Sequence, residues 1–127
     1  ERWQGDWRTT TQKIINLPNV PIAIDSTGVG DPIAEDIARV KQVELFRFSS
    51  QSKQQIMEGL ALQIQKRAVT FPEGHIKDEL ESFEYEYTRT GVRYSAPSGL
   101  HDDCVCSLAL AVHKYRECGS VGNYSFA

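Results

Sequence analysis

An imidazole and two adjacent carboxylates, His101-Asp102-Asp103, stand at the mouth of the apolar segment Cys104 to Val112. One aspartate there would serve as a helix cap, because its oxygens accept from unpaired backbone N–H groups and its charge suits the positive helix end. Two carboxylates and a histidine exceed what a cap needs. A second acidic signal lies upstream, where the apolar run Pro21-Ile-Ala-Ile ends in Asp25 before a glycine-containing turn. The ends of strands in α/β sheets are where functional groups collect, although an aspartate there can also cap the turn that follows. Carboxylate oxygens suit a hard divalent cation, and a cation held between them suits phosphodiester chemistry.

The two adjacent aspartates differ by about 100° around a helix. One of the pair is therefore expected to bind metal while the other caps or supports it, with Asp103 preferred as the ligand. His101 is read either as a polar neighbour of the site, within reach of a phosphate, or as a solvent-facing loop residue. Gly28-Val-Gly30 lacks the third glycine of a dinucleotide fingerprint, and no phosphate-binding loop for ATP is present. These glycines read as a turn that lets the backbone pass close to metal or DNA. Lys53, Lys66, Arg67, Arg89 and Arg93 are candidate contacts to a nucleic-acid backbone. Arg89 and Arg93 are favoured among them for their place on a hairpin. His75 and His113 read as surface or hydrogen-bond-satisfied residues, and Trp3 and Trp7 as core or interface anchors.

The elements that must position these groups follow from periodicity. A short helix is expected over Thr9–Leu17, ended by Pro18, and a buried strand over Pro21–Asp25. A helix opens at Asp31-Pro32 and carries Ile33, Ile37 and Val40 on one side. A second strand spans Val43–Phe48. The longest helix is expected over Lys53–Arg67 with Ser52 as its cap, and a short edge strand over Ala68–Phe71. A helix over His75–Phe83 precedes a β-hairpin of Glu84–Thr88 and Val92–Ser95. The last helix covers residues 102–117, and the Gly/Ser-rich tail 119–127 is expected to fray. The class is α/β with a mixed sheet.

Composition bounds the rest. The chain has 127 residues, 40% hydrophobic and 24% charged, which fits a single globular domain. A net charge of −3 excludes a general nucleic-acid coating protein and implies that DNA affinity is weak or supplied by another domain. No apolar run approaches the roughly 20 residues that span a bilayer. No secretory signal opens the chain, and the lack of an initiating Met suits a piece of a longer protein. Cys104, Cys106 and Cys118 make no even disulfide framework and no four-ligand zinc set, so they read as small buried apolar side chains.

Three segments together resemble a known family. They are Ile22-Ala-Ile-Asp25-Ser-Thr-Gly-Val-Gly-Asp31, the helix opened by Ser52-Lys53 with Glu58-Gly-Leu-Ala61, and Tyr94-Ser-Ala-Pro-Ser-Gly-Leu-His101-Asp-Asp103 before Leu-Ala-Leu-Ala. In order and spacing, from about residue 20 to 117, they resemble the C-terminal nuclease domain of phage terminase large subunits. The resemblance implies a ribonuclease H-like mixed sheet flanked by helices, here a partial domain lacking the opening strands. It implies a viral or prophage packaging enzyme of the bacterial host cytoplasm, cutting concatemeric double-stranded DNA with two Mg²⁺ or Mn²⁺ ions. An upstream ATPase domain, a terminase small subunit and a portal protein are the implied partners.

Carried over, Asp25 matches the second acidic position and Asp102/Asp103 the third. The first, on an opening strand, has no match in these residues, and Asp6 is a poor substitute because no apolar strand leads into it. The chain alone is therefore expected to bind metal weakly and to be inactive or nearly so. The rival readings are another ribonuclease H-like nuclease, of resolvase or transposase type, and a non-catalytic docking fragment of the packaging motor.

Overall fold

Strand, helix, parallel strand is the first motif the chain builds. The computed structural model describes residues 4–28, 31–89, 91–96, 99 and 101–119, without the side chains of Asp31, 85–88 and Gly91. The expected fraying of the tail falls, after Gly119, outside the described residues, as does Trp3. Two units form, Glu1–Phe48 and Ser49–Ala127. The class is α/β as expected. Among the described residues, parallel and antiparallel pairing are both present, in two two-stranded sheets.

In the first unit, α1 (Trp7–Ile15) leads to β1 (Ala23–Asp25), α2 (Asp31–Val40) and β2 (Glu44–Phe46). Helix α1 begins two residues before the expected start because Asp6 caps it: Oδ1 of Asp6 accepts from Thr9 N–H at 2.7 Å. That bond, with a contribution from the Thr9 hydroxyl, holds the Asp6 carboxyl below its ordinary value. Trp7 at the first turn is 61% exposed, so it is no core anchor. The ammonium of Lys41 closes the other end, donating to the carbonyls of Ile15 and Leu17 at 3.2 and 2.7 Å.

Strands β1 and β2 pair in parallel with Ala23 opposite Glu44 and Asp25 opposite Phe46. Helix α2 is the crossover and packs against α1 and β2. Its buried residues are Ala34 and Ile37, whereas Val40, expected on that face, is 66% exposed at the helix end. β2 is shorter than the expected Val43–Phe48, and Phe46 at its end and Phe48 just past it set their rings edge to face at 5.0 Å.

The second unit holds α3 (Ser50–Gln65), α4 (His75–Ser82), β3 (Glu84–Thr88), β4 (Gly91–Ser95) and α5 (Asp103–Gly119). Helix α3 starts three residues earlier than expected. Ser49, not Ser52, is its cap, and Ser52 reaches back to the Ser49 N–H at 2.8 Å to complete a capping box. The helix ends in a left-handed Arg67 (φ 55°), where Arg67 N–H donates to Ile64 and Ala68 N–H to Gln63. Ala68–Phe71, expected as an edge strand, pairs with no strand among the described residues. Its alternation is too short to hold a ladder without a partner.

The hairpin β3–β4 forms in the expected place, with Tyr85 opposite Tyr94 and Glu86 opposite Arg93. Helix α3 packs on α5 and β4, and α4 packs on α5. Ile56, Met57 and Leu60 of α3 and Val105, Ala109, Leu110 and Val112 of α5 form the buried core here. Phe83 and Tyr94 stack at 6.3 Å beside it.

Candidate functional site

Asp25 ends β1 in the first unit, and the ladder continues one residue past it. Ser26 N–H donates to the Phe46 carbonyl at 2.9 Å, and the buried Ser26 hydroxyl donates to the same oxygen at 3.3 Å. Thr27 is pinned as well, its hydroxyl accepting from Phe48 N–H at 2.8 Å. The turn is thus fastened to β2 on both sides, and Gly28 completes it at φ +69°, a conformation glycine adopts without strain. Asp25 is exposed, and its Oδ1 accepts from Thr27 N–H at 2.8 Å. That bond fixes the carboxylate's direction while leaving Oδ2 without a hydrogen bond among the described residues. Asp25 therefore caps its turn, as one reading of the sequence has it, and remains able to hold a cation. Ser26 and Thr27 carry this positioning. Sequence reasoning missed them, since hydroxyls in a tight turn are common and their partner lies about twenty residues away.

The second unit holds the His101-Asp102-Asp103 group. His101 is exposed in the loop before α5. Asp102 precedes the helix, and its carbonyl accepts the first helical bond, from Cys106 N–H at 2.9 Å. Its side chain does not fold back onto the helix. Instead Oδ2 pairs with Lys53 Nζ of α3 at 3.0 Å, both side chains being roughly three-quarters buried at 29% and 26% exposure. Asp103 is exposed on the first turn and makes no hydrogen bond or ion pair among the described residues. The two neighbouring carboxylates thus differ in surroundings, Asp102 being paired with Lys53 and Asp103 being exposed.

A residue not foreseen completes this end of α5. Glu79 of α4 accepts through Oε2 from the backbone N–H groups of Cys104 and Val105, at 2.7 and 3.2 Å. No sequence motif announces it, since the partners are about 25 residues apart. Lys53, expected to touch a DNA backbone, is occupied by Asp102 here. Arg89 and Arg93 are exposed on the hairpin, at its turn and on β4. Lys66 and Arg67 are exposed at the end of α3. Cys104, Cys106 and Cys118 form no disulfide among the described residues and are half-buried rather than fully buried as expected.

No family model matches the chain. Among curated proteins it is 40% identical over 99 residues to the large terminase subunit of Thermus phage G20c. The match covers 75% of this chain and 20% of that protein, so the chain spans about a fifth of the relative's length. Among solved structures it is similar to the large terminase nuclease of phage G20c with bound cobalt, at a TM-score of 0.76 and 32% identity over 87% of this chain and 63% of that one. The same nuclease with bound magnesium gives a TM-score of 0.76 and 32% identity, covering 87% and 62%. The chain is thus similar to the nuclease domain of phage large terminases, and its fold is of that ribonuclease H-like kind.

Proposed function

We propose that this relative of the phage large-terminase nuclease domain serves a metal-dependent endonuclease that cuts concatemeric double-stranded DNA for packaging. The observation that carries the reading is the acidic pair at the start of α5, relieved of capping by Glu79, in a chain similar to a nuclease with bound magnesium. Asp25 and Asp103 are assigned as metal ligands and Asp102 as ligand or support, with His101 as an adjacent polar group. The donor set fits a hard divalent ion such as Mg²⁺ or Mn²⁺, because it consists of carboxylate oxygens with free lone pairs and no thiolate. Two ions are proposed for the complete site. When bound, such ions polarise a phosphate and make water nucleophilic at neutral pH.

The chain's own residues do the rest. Thr27 and Ser26 hold Asp25 at one orientation, Lys53 holds Asp102, and Asp103 stays open. Arg89 and Arg93 offer exposed guanidinium groups to backbone phosphates, fixing the duplex without reading its sequence. The first acidic position implied by the family resemblance is not filled by Asp6, whose carboxylate is committed to Thr9 N–H. The 127 residues by themselves are accordingly expected to bind metal weakly and to be inactive or nearly so. In the host cytoplasm the proposed partners are an ATPase domain of the same protein, a small terminase subunit and a portal.

Titrating Mn²⁺ while following thermal unfolding tests the assignment, since a ligand that binds only the folded state raises its stability. A metal-dependent rise in Tm that is lost in both Asp25→Asn and Asp103→Asn is the expected result. A rise that survives either substitution removes that residue from the site. A folded chain with no rise at all overturns the metal reading and favours a docking fragment of the packaging motor.

A further inference from the structure

The first turn of α5 is capped by a residue from another helix. A side chain in the position of Asp102 ordinarily folds back and accepts from the second or third helical N–H. Those groups belong to Cys104 and Val105, and both donate to Oε2 of Glu79, at 2.7 and 3.2 Å. Asp102 turns to Lys53 instead, at 3.0 Å. Three carboxylates thus crowd one helix start. The arrangement is tolerable because the helix end carries partial positive charge and one carboxylate is paired with an ammonium.

We infer that Glu79 is a positioning residue: by capping α5 in place of Asp102, it keeps the carboxylates of Asp102 and Asp103 turned away from their own helix and available to a divalent cation. The inference rests on the nuclease reading for what those carboxylates bind, and on the hydrogen bonds alone for what Glu79 does. Without Glu79 the two N–H groups would be orphaned at a half-buried helix end. Asp102 stands at the position from which a side chain ordinarily accepts from them, and in doing so it would leave Lys53 and give up its place in the site.

Two measurements on the 127-residue chain test this. The first needs no metal. With Lys53→Ala already in place, so that no ion pair is lost with it, Asp102→Ala costs little, because Asp102 is not the cap. With Glu79→Ala added to Lys53→Ala, where Asp102 takes over the cap, the same substitution lowers Tm by about 2–5 °C more. Equal losses in the two backgrounds overturn the inference.

The second measures the Mn²⁺ dissociation constant. Glu79→Ala raises it about fivefold, the size expected when a cap-strength hydrogen bond competes for a ligand. Glu79→Gln, whose side-chain oxygen can accept the same two N–H groups, leaves it within about twofold of the native value. If Glu79→Gln weakens binding as much as Glu79→Ala, Glu79 acts by its charge and the positioning role is wrong. If the native chain binds no Mn²⁺, the nuclease reading fails, and the stability comparison alone decides for or against Glu79.

Discussion

At the scale of single residues, the site depends on which polar group takes which partner. Lys53 and Asp102 form an ion pair only about a quarter exposed, less screened than a surface pair. Removing the ammonium leaves a half-buried carboxylate alone, so Lys53→Ala is expected to cost about 1 kcal/mol in urea unfolding without metal. The sign reverses for cation binding. A divalent ion competes with the ammonium for the oxygens of Asp102, so Lys53→Ala is expected to tighten Mn²⁺ binding several-fold. Isothermal titration beside the urea curve would show both effects. Weaker Mn²⁺ binding in Lys53→Ala would mean that Lys53 orients Asp102 for the metal rather than competing with it. None of this pairing was legible in the sequence, where Lys53 reads as one more cation. Its partner is about fifty residues away, and only the packing of α3 on α5 brings them together.

At the scale of elements, the helix ends decide most of the differences from the sequence reading. Ser49 and Ser52 are both good caps, and periodicity alone cannot choose between them. The structure takes the earlier one because Ser52 can then return a hydrogen bond, which adds a turn to α3. At the other end, Arg67 stands in a left-handed conformation at φ 55°, in the position where glycine is most common. Side chains carry a steric cost there that glycine avoids. Arg67→Gly is therefore expected to raise stability by roughly 0.5–1 kcal/mol, read as a higher urea midpoint at unchanged slope. A lower midpoint would show that the Arg67 side chain contributes more than its backbone strain costs. Strands and helices with a strong period were legible: β1, β2, the hairpin and α5 all lie where alternation or apolar spacing put them. Ala68–Phe71 was not, because a strand exists only with a partner, and pairing is not a local property.

At the scale of the whole molecule, the fold class was legible because it rests on residue types and order along the chain, and so was the placing of Asp25 at a strand end and Asp103 at a helix start. The supports of those groups were not, since Ser26, Thr27 and Glu79 act through hydrogen bonds set by tertiary structure. Net charge makes a further demand that no single contact meets. A chain at −3 repels a polyanion at long range, so any grip on DNA must come from local cations. Arg89 and Arg93 are exposed on the hairpin, and each phosphate contact proposed for them would release counterions. The dependence of log affinity on log salt steepens by about 0.9 for every such contact on duplex DNA. Arg89→Ala with Arg93→Ala is therefore expected to flatten that slope by about 2 while lowering affinity uniformly across sequences. Fluorescence anisotropy with labelled duplexes at several salt concentrations reads the slope directly. An unchanged slope would remove the hairpin from the DNA contact and leave Lys66 and Arg67 as the next cations to test.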